Sequence, residues 1–186
     1  MAQSEIYLAG GCFWGLEKAV EDIPGVTSTE CGYANGDPHF EPDYMLVCSG
    51  KFGYRETVRV TYDPDILPLE DILAVFFFLI DPTQVMRQGN DFGIQYQTGV
   101  YWTDPWSEAM VRKVFATESA KHPEFHTESG PLTQWHPAEE SHQKYLDRNP
   151  GGYCHIPVWK MVAIREITSA GRKGGIERSY FQDGQV

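Results

Sequence analysis

The chain has 186 residues, 41% of them hydrophobic, with 15 Lys+Arg against 26 Asp+Glu and a net charge of −11. That length and apolar content call for one domain with a sizeable core and exclude a disordered chain. The acidity argues against nucleic acid or an anionic membrane surface as a partner. Residues 1–5 carry no basic segment, and the longest apolar stretch, Leu73 to Ile80, is far too short to span a bilayer. A reducing cytoplasm is the expected compartment, so the four cysteines, 12, 31, 48 and 154, are not read as structural disulfides. Their spacings do not form the close pairs of a zinc site, and no metal or other cofactor is expected.

Ile6–Ala9 reads as a short strand, broken by Gly10-Gly11. Phe13 to Asp22 reads as a helix stopped by Pro24-Gly25. Val26 to Gly32 and Thr57 to Tyr62 are strand candidates on their β-branched or alternating character. The long Gly-, Pro- and aromatic-rich connection between them holds Cys48, and connections of that length are often functional. Pro68 opens a second helix that carries the apolar run through Ile80, and Pro82 closes it.

Gln88 to Gly93 is a polar loop before a strand near Gln97 to Trp102. Asp104-Pro105 starts a third helix reaching about Ala120, and Pro137 a fourth that ends at Asn149-Pro150-Gly151-Gly152. Val158 to Ile167 has strand-like residues, and 170–186 reads as a mobile, Gly-rich tail. The expected fold is α+β: a two-layer α/β sandwich with a mixed sheet, a ferredoxin-like core and a long, loop-like C-terminal segment. Residues 1–169 form the single expected catalytic domain.

Cys12 is the residue with the strongest chemical signal. A strand ends, two glycines permit a sharp turn, and the cysteine falls at the start of a helix, where free N–H groups and the helix dipole favour a thiolate. Phe13 and Trp14 beside it suit a small apolar group such as a methyl. From the residues alone a second reading stays open, a small buried cysteine followed by two core aromatics. Two other functions also stay open: a cysteine hydrolase or transferase pairing Cys12 with a histidine such as His142, and a non-catalytic binding protein with an aromatic pocket. Trp102 and Trp106 read as packing residues, and His136 and His142 as solvated or capping ones.

Gly11-Cys12-Phe13-Trp14-Gly15 resembles the active-site signature of the A-type peptide methionine sulfoxide reductases. The resemblance continues in order through Ser28–Tyr33, Tyr44 with Val47-Cys48-Ser49-Gly50 and Glu56, Asp81-Pro82-Thr83, Arg87–Asp91 with Gln95-Tyr96, and Pro137–Glu140 with His142-Gln143 and Tyr145-Leu146, ending near Cys154. It implies that Cys12 attacks the sulfoxide sulfur and that Glu56, kept protonated by burial, supplies a proton to the oxygen. Phe13 and Trp14 would hold the substrate methyl, Tyr44 and Tyr96 would hydrogen-bond the oxygen, and Asp91 would order the polar side. Cys154 would resolve the resulting sulfenic acid to a disulfide that thioredoxin reduces. The implied substrates are S-sulfoxides, both free methionine sulfoxide and oxidised proteins, for a monomeric enzyme. Cys31 and Cys48 read as mainly structural. Ile80, Ile94 and Ser141 replace, in turn, a histidine, a threonine and an aromatic common in that family, and Cys154 is followed by no further cysteine.

Overall fold

The computed structural model describes residues 2–170. A six-stranded mixed sheet forms the centre: β1 (Ser4–Ala9), β2 (Val26–Ala34), β3 (Arg55–Tyr62) and, after a two-stranded hairpin of β4 (Arg87–Gln88) and β5 (Asp91–Phe92), β6 (Gly99–Trp102), β7 (Glu128–Pro131) and β8 (Trp135–Pro137). Its order is β7-β6-β1-β3-β2-β8, antiparallel except for the parallel β6–β7 pair.

The helices are α1 (Phe13–Val20), α2 (Tyr44–Cys48), α3 (Leu69–Leu79), α4 (Pro105–Ser119), α5 (Tyr145–Arg148) and α6 (Val158–Ala170). Strand parity sorts the side chains. Ile6 and Leu8 of β1, Val58, Val60 and Tyr62 of β3, and Val100 and Trp102 of β6 enter one core with Leu16 of α1 and Leu73 and Phe76 of α3. Tyr7, Ala9 and Tyr101 turn to the opposite face, where Trp135 and Leu132 cover them.

The same parity places the site. Glu56 is on the Val58 side of β3, hence beneath the helices. Leu8 pairs with Val58, and two residues further in that register Glu56 falls level with Gly10, where β1 gives way to the Gly11 turn. Gly11 has φ +84°, a conformation glycine adopts at little cost, and the turn delivers Cys12 as the N-cap of α1.

Three expectations are corrected. Residues 158–170 are helix rather than strand: β-branched residues suggested a strand, but Ala163, Ile164, Ile167 and Thr168 are buried with helical spacing. The continuous fourth helix from Pro137 is replaced by β8, a 3-10 turn at Glu140–His142 and the four-residue α5. The break falls at Lys144, whose left-handed backbone (φ 51°) no helix interior tolerates. Trp106 is about half exposed while Trp102 is buried, so only Trp102 is a packing residue. Apart from Ala170 at the end of α6, the expected tail lies outside the described residues. Among the described residues no helix is long and apolar enough to cross a membrane.

Candidate active site

The start of α1 and the head of β3 meet at Cys12 and Glu56. Phe13 N–H, one of the amides the first helical turn leaves free, donates to Glu56 Oε2 at 3.1 Å. Glu56 is 2% exposed. Burial drives its pKa up to about 8, against a smaller downward pull from the Phe13 amide, and the Asp91 charge adds to the rise. At neutral pH it holds its proton.

Cys12 departs from the expected thiolate. It is 6% exposed, and burial holds the thiol well above the ordinary range. The Glu56 charge adds to that, while the amides of Trp14 and Gly15 pull the other way. The helix-start argument has the right sign, but desolvation of the sulfur outweighs it.

Aromatic rings and hydroxyls gather around this pair. The Trp14 indole stacks on Tyr145, with ring centroids 3.8 Å apart and planes 14° from parallel. Its Nε1–H donates to His142 Nδ1 at 3.1 Å. His142 lies between Trp14, Tyr44 and Phe13, with the Tyr44 ring centroid 4.6 Å away. The expectation of a solvated or capping His142 is therefore corrected: it is buried within the site. Both its nitrogens are engaged, Nδ1 by Trp14 and Nε2 by Glu139 at 3.5 Å, so His142 offers no free nitrogen to act as a hydrolase base on Cys12.

Phe13 is buried behind this wall, against Tyr33. Burial raises the hydroxyls of Tyr44 and Tyr96, Tyr44 to about 12; a hydrogen bond to Cys48 adds to the rise at Tyr44, and the charges of Glu56 and Cys12 reach both phenols, which keep their protons. Asp91, at the tip of the β4–β5 hairpin, accepts the Tyr153 hydroxyl on Oδ1 at 2.9 Å, while its Oδ2 is buried without a partner among the described residues.

Cys154 lies against the first turn of α1: a side chain on Gly15 would meet its Sγ at 2.9 Å. The thiol donates to Ile156 O at 3.4 Å. Cys31 is buried and donates to the buried Glu17 Oε2 at 3.1 Å, a packing position, and Cys48 is exposed on α2. Glu17 also accepts Lys144 N–H and Thr29 Oγ1–H, both at 2.9 Å, and so ties α1 to the segment that carries Tyr145.

Sequence reasoning gave Tyr145 and Tyr153 no role in this cluster, and offered His142 only as the base of a hydrolase. Their association is made by contacts such as Trp14–His142, across 128 positions of chain, and leaves no local pattern. Among the described residues no group of three or more His, Cys, Asp or Glu is placed to hold a metal ion.

Comparison with known proteins gives one consistent answer. Residues 4–170 match the family model described as peptide methionine sulfoxide reductase. Peptide methionine sulfoxide reductase MsrA of Clostridium perfringens is 45% identical over 155 residues, 83% of this chain and 98% of that protein. The MsrA of Lachnoclostridium phytofermentans is 47% identical over 152 residues, 81% of this chain and 91% of that protein. The crystal structure of Mxr1 from Saccharomyces cerevisiae in reduced form superposes with a TM-score of 0.76 at 30% identity, covering 83% of this chain and 91% of that one.

Proposed function

The chain belongs to the peptide methionine sulfoxide reductase family, and on that premise we propose that its thiols reduce methionine S-sulfoxide, free and in proteins, by the following route. One observation carries the assignment: a buried, protonated carboxyl, Glu56, held by the first amide of the helix that Cys12 opens. A sulfoxide oxygen leaves only if it acquires a proton, and Glu56 has one to give at neutral pH.

The substrate methyl sits against Trp14 and Tyr145, with Phe13 behind, and the oxygen faces Glu56, Tyr44 and Tyr96. As Cys12 Sγ attacks the sulfoxide sulfur, Glu56 protonates the oxygen and then receives the Cys12 proton. The oxygen passes to the Cys12 sulfur, so methionine leaves and Cys12 is a sulfenic acid. A thiol that rests protonated suits this exchange, because its proton moves only when Glu56 has given up its own. Asp91 orders the polar side through Tyr153. Cys154 then attacks Cys12, forming the disulfide and releasing water, and thioredoxin reduces that disulfide by thiol exchange. Residues 1–169 are the catalytic domain, of a cytoplasmic monomer, and the β6-β1-β3-β2 order supports the ferredoxin-like reading of its core.

The test is reduction of separated sulfoxide epimers with dithiothreitol or with a thioredoxin system. The expected result is turnover of the S epimer alone; turnover of neither would end the proposal. In the same assay Cys154→Ser is expected to release one methionine per enzyme and then stop with thioredoxin, and normal turnover would move the resolving role elsewhere. Trp14→Ala removes the stacked indole and should raise KM about 10-fold, the equivalent of about 1.4 kcal/mol. An unchanged KM would take the indole out of the binding wall.

A further inference from the structure

His155 has no task in this scheme, yet it is placed as if it had one. Its Nε2 lies 2.8 Å from Gly10 O. A carbonyl only accepts, so Nε2 carries the proton and Nδ1 is left as an acceptor. That Nδ1 is buried and has no hydrogen-bond partner among the described residues, an arrangement that costs stability and calls for a reason. The ring rests on the glycines that bracket Cys12: a side chain on Gly11 would strike His155 Nε2 at 2.9 Å. On the other flank, a side chain on Gly15 would meet Cys154 Sγ at 2.9 Å and His155 Nδ1 at 3.3 Å. The bare nitrogen and the second thiol therefore flank one point on the first turn of α1.

Resting on the reductase reading, we infer that His155 is the proton acceptor of the resolving step. Cys154 must lose a proton to attack, and burial makes that harder than for an ordinary thiol; a backbone hydrogen bond with Ile156 offsets part of the rise and the Asp91 charge adds to it. As Cys154 Sγ bonds to Cys12 Sγ, the Cys12 S–O bond breaks, the Cys154 proton goes to His155 Nδ1, and the departing hydroxide takes it up to leave as water. No outside oxidant or reductant enters. Nε2–H on Gly10 O fixes the ring throughout and orients the lone pair.

The charged and titratable groups around the ring are Asp91 on the hairpin, Lys160 on α6, and the Cys12 and Cys154 thiols. Burial lowers the imidazole below its usual range and Lys160 adds to that, against the hydrogen bond to Gly10 O and the Asp91 charge, so His155 is neutral and able to accept at neutral pH.

The experiment is a single turnover of the full chain with methionine sulfoxide and no reductant, in which released methionine and remaining free thiols are counted over time. His155→Gln keeps a side-chain donor for Gly10 O but has no basic nitrogen. Methionine release should keep its native rate and reach one equivalent, which shows that the variant is folded. Disulfide formation should slow about 100-fold. In the native protein that second rate should fall as pH drops below the ordinary imidazole range, and in the variant this dependence should vanish. Disulfide formation at the native rate overturns the inference, as does slowing with the native pH profile kept. Failure of the native protein to release methionine would instead reject the reductase reading itself.

Discussion

Cys12→Ser should abolish methionine release, lowering the rate by at least about 10⁴-fold under dithiothreitol and thioredoxin alike. The reason is chemical rather than steric. Reduction needs an atom that accepts the sulfoxide oxygen and holds it as a sulfenic acid, which a hydroxyl oxygen cannot do. Serine is slightly smaller at a position that is already buried, so the packing around Phe13 and the Glu56–Phe13 hydrogen bond remain. Equilibrium binding of methionine sulfoxide to Cys12→Ser should therefore stay near native, monitored by the fluorescence of Trp14 stacked on Tyr145. Residual turnover above a few per cent would show that another atom takes the oxygen. Lost binding together with lost turnover would show that the substitution had disturbed the site, and the aromatic wall would need another explanation.

What was legible in the chain, and what was not, follows from the range of the forces involved. The strand–glycine–cysteine–helix run is local: Gly11 needs a positive φ, and its helix starts one residue beyond Cys12. The period-2 pattern of Glu56, Val58, Val60 and Tyr62 likewise fixes a face. Neither predicts a proton. The helix start favours a thiolate at Cys12, but the outcome is set by burial and by Glu56, which reaches Cys12 only after β3 pairs with β1.

The misreadings have the same origin. Val158, Val162, Ile164 and Ile167 look like strand residues until packing selects a helical stripe, and the wall of His142 and Tyr145 exists because Glu17 and Lys144 fold that segment onto α1. His155 carries no signal in the chain because Gly10, its partner, lies 145 positions away.

Glu56→Gln should separate activity from stability, moving them in opposite directions. The wild-type carboxyl titrates near pH 8 in the folded protein against an ordinary value of 4.5. A reaction that needs the protonated form should therefore run at full rate below that value and decline as pH rises through about 8. Glutamine can hydrogen-bond the sulfoxide oxygen but cannot protonate it, so the rate of methionine release should fall about 10²-fold. The alkaline decline should disappear with it.

Stability has the opposite sign. The unfolded chain loses the Glu56 proton near pH 4.5 while the folded chain keeps it to about 8. The folded state thus binds more protons across that window, and its stability drops as pH rises through it. Glutamine can keep the acceptor for Phe13 N–H and does not ionise. Relative to wild type, the variant should gain stability progressively above pH 4.5, on the order of 3–5 kcal/mol by pH 8, and the two proteins should converge in acid. Urea unfolding at about pH 5 and about pH 8 measures this directly. An equal stability difference at both pH values would mean that Glu56 is not a buried acid in the resting enzyme, and the proton that the sulfoxide requires would have to come from Tyr44 or Tyr96.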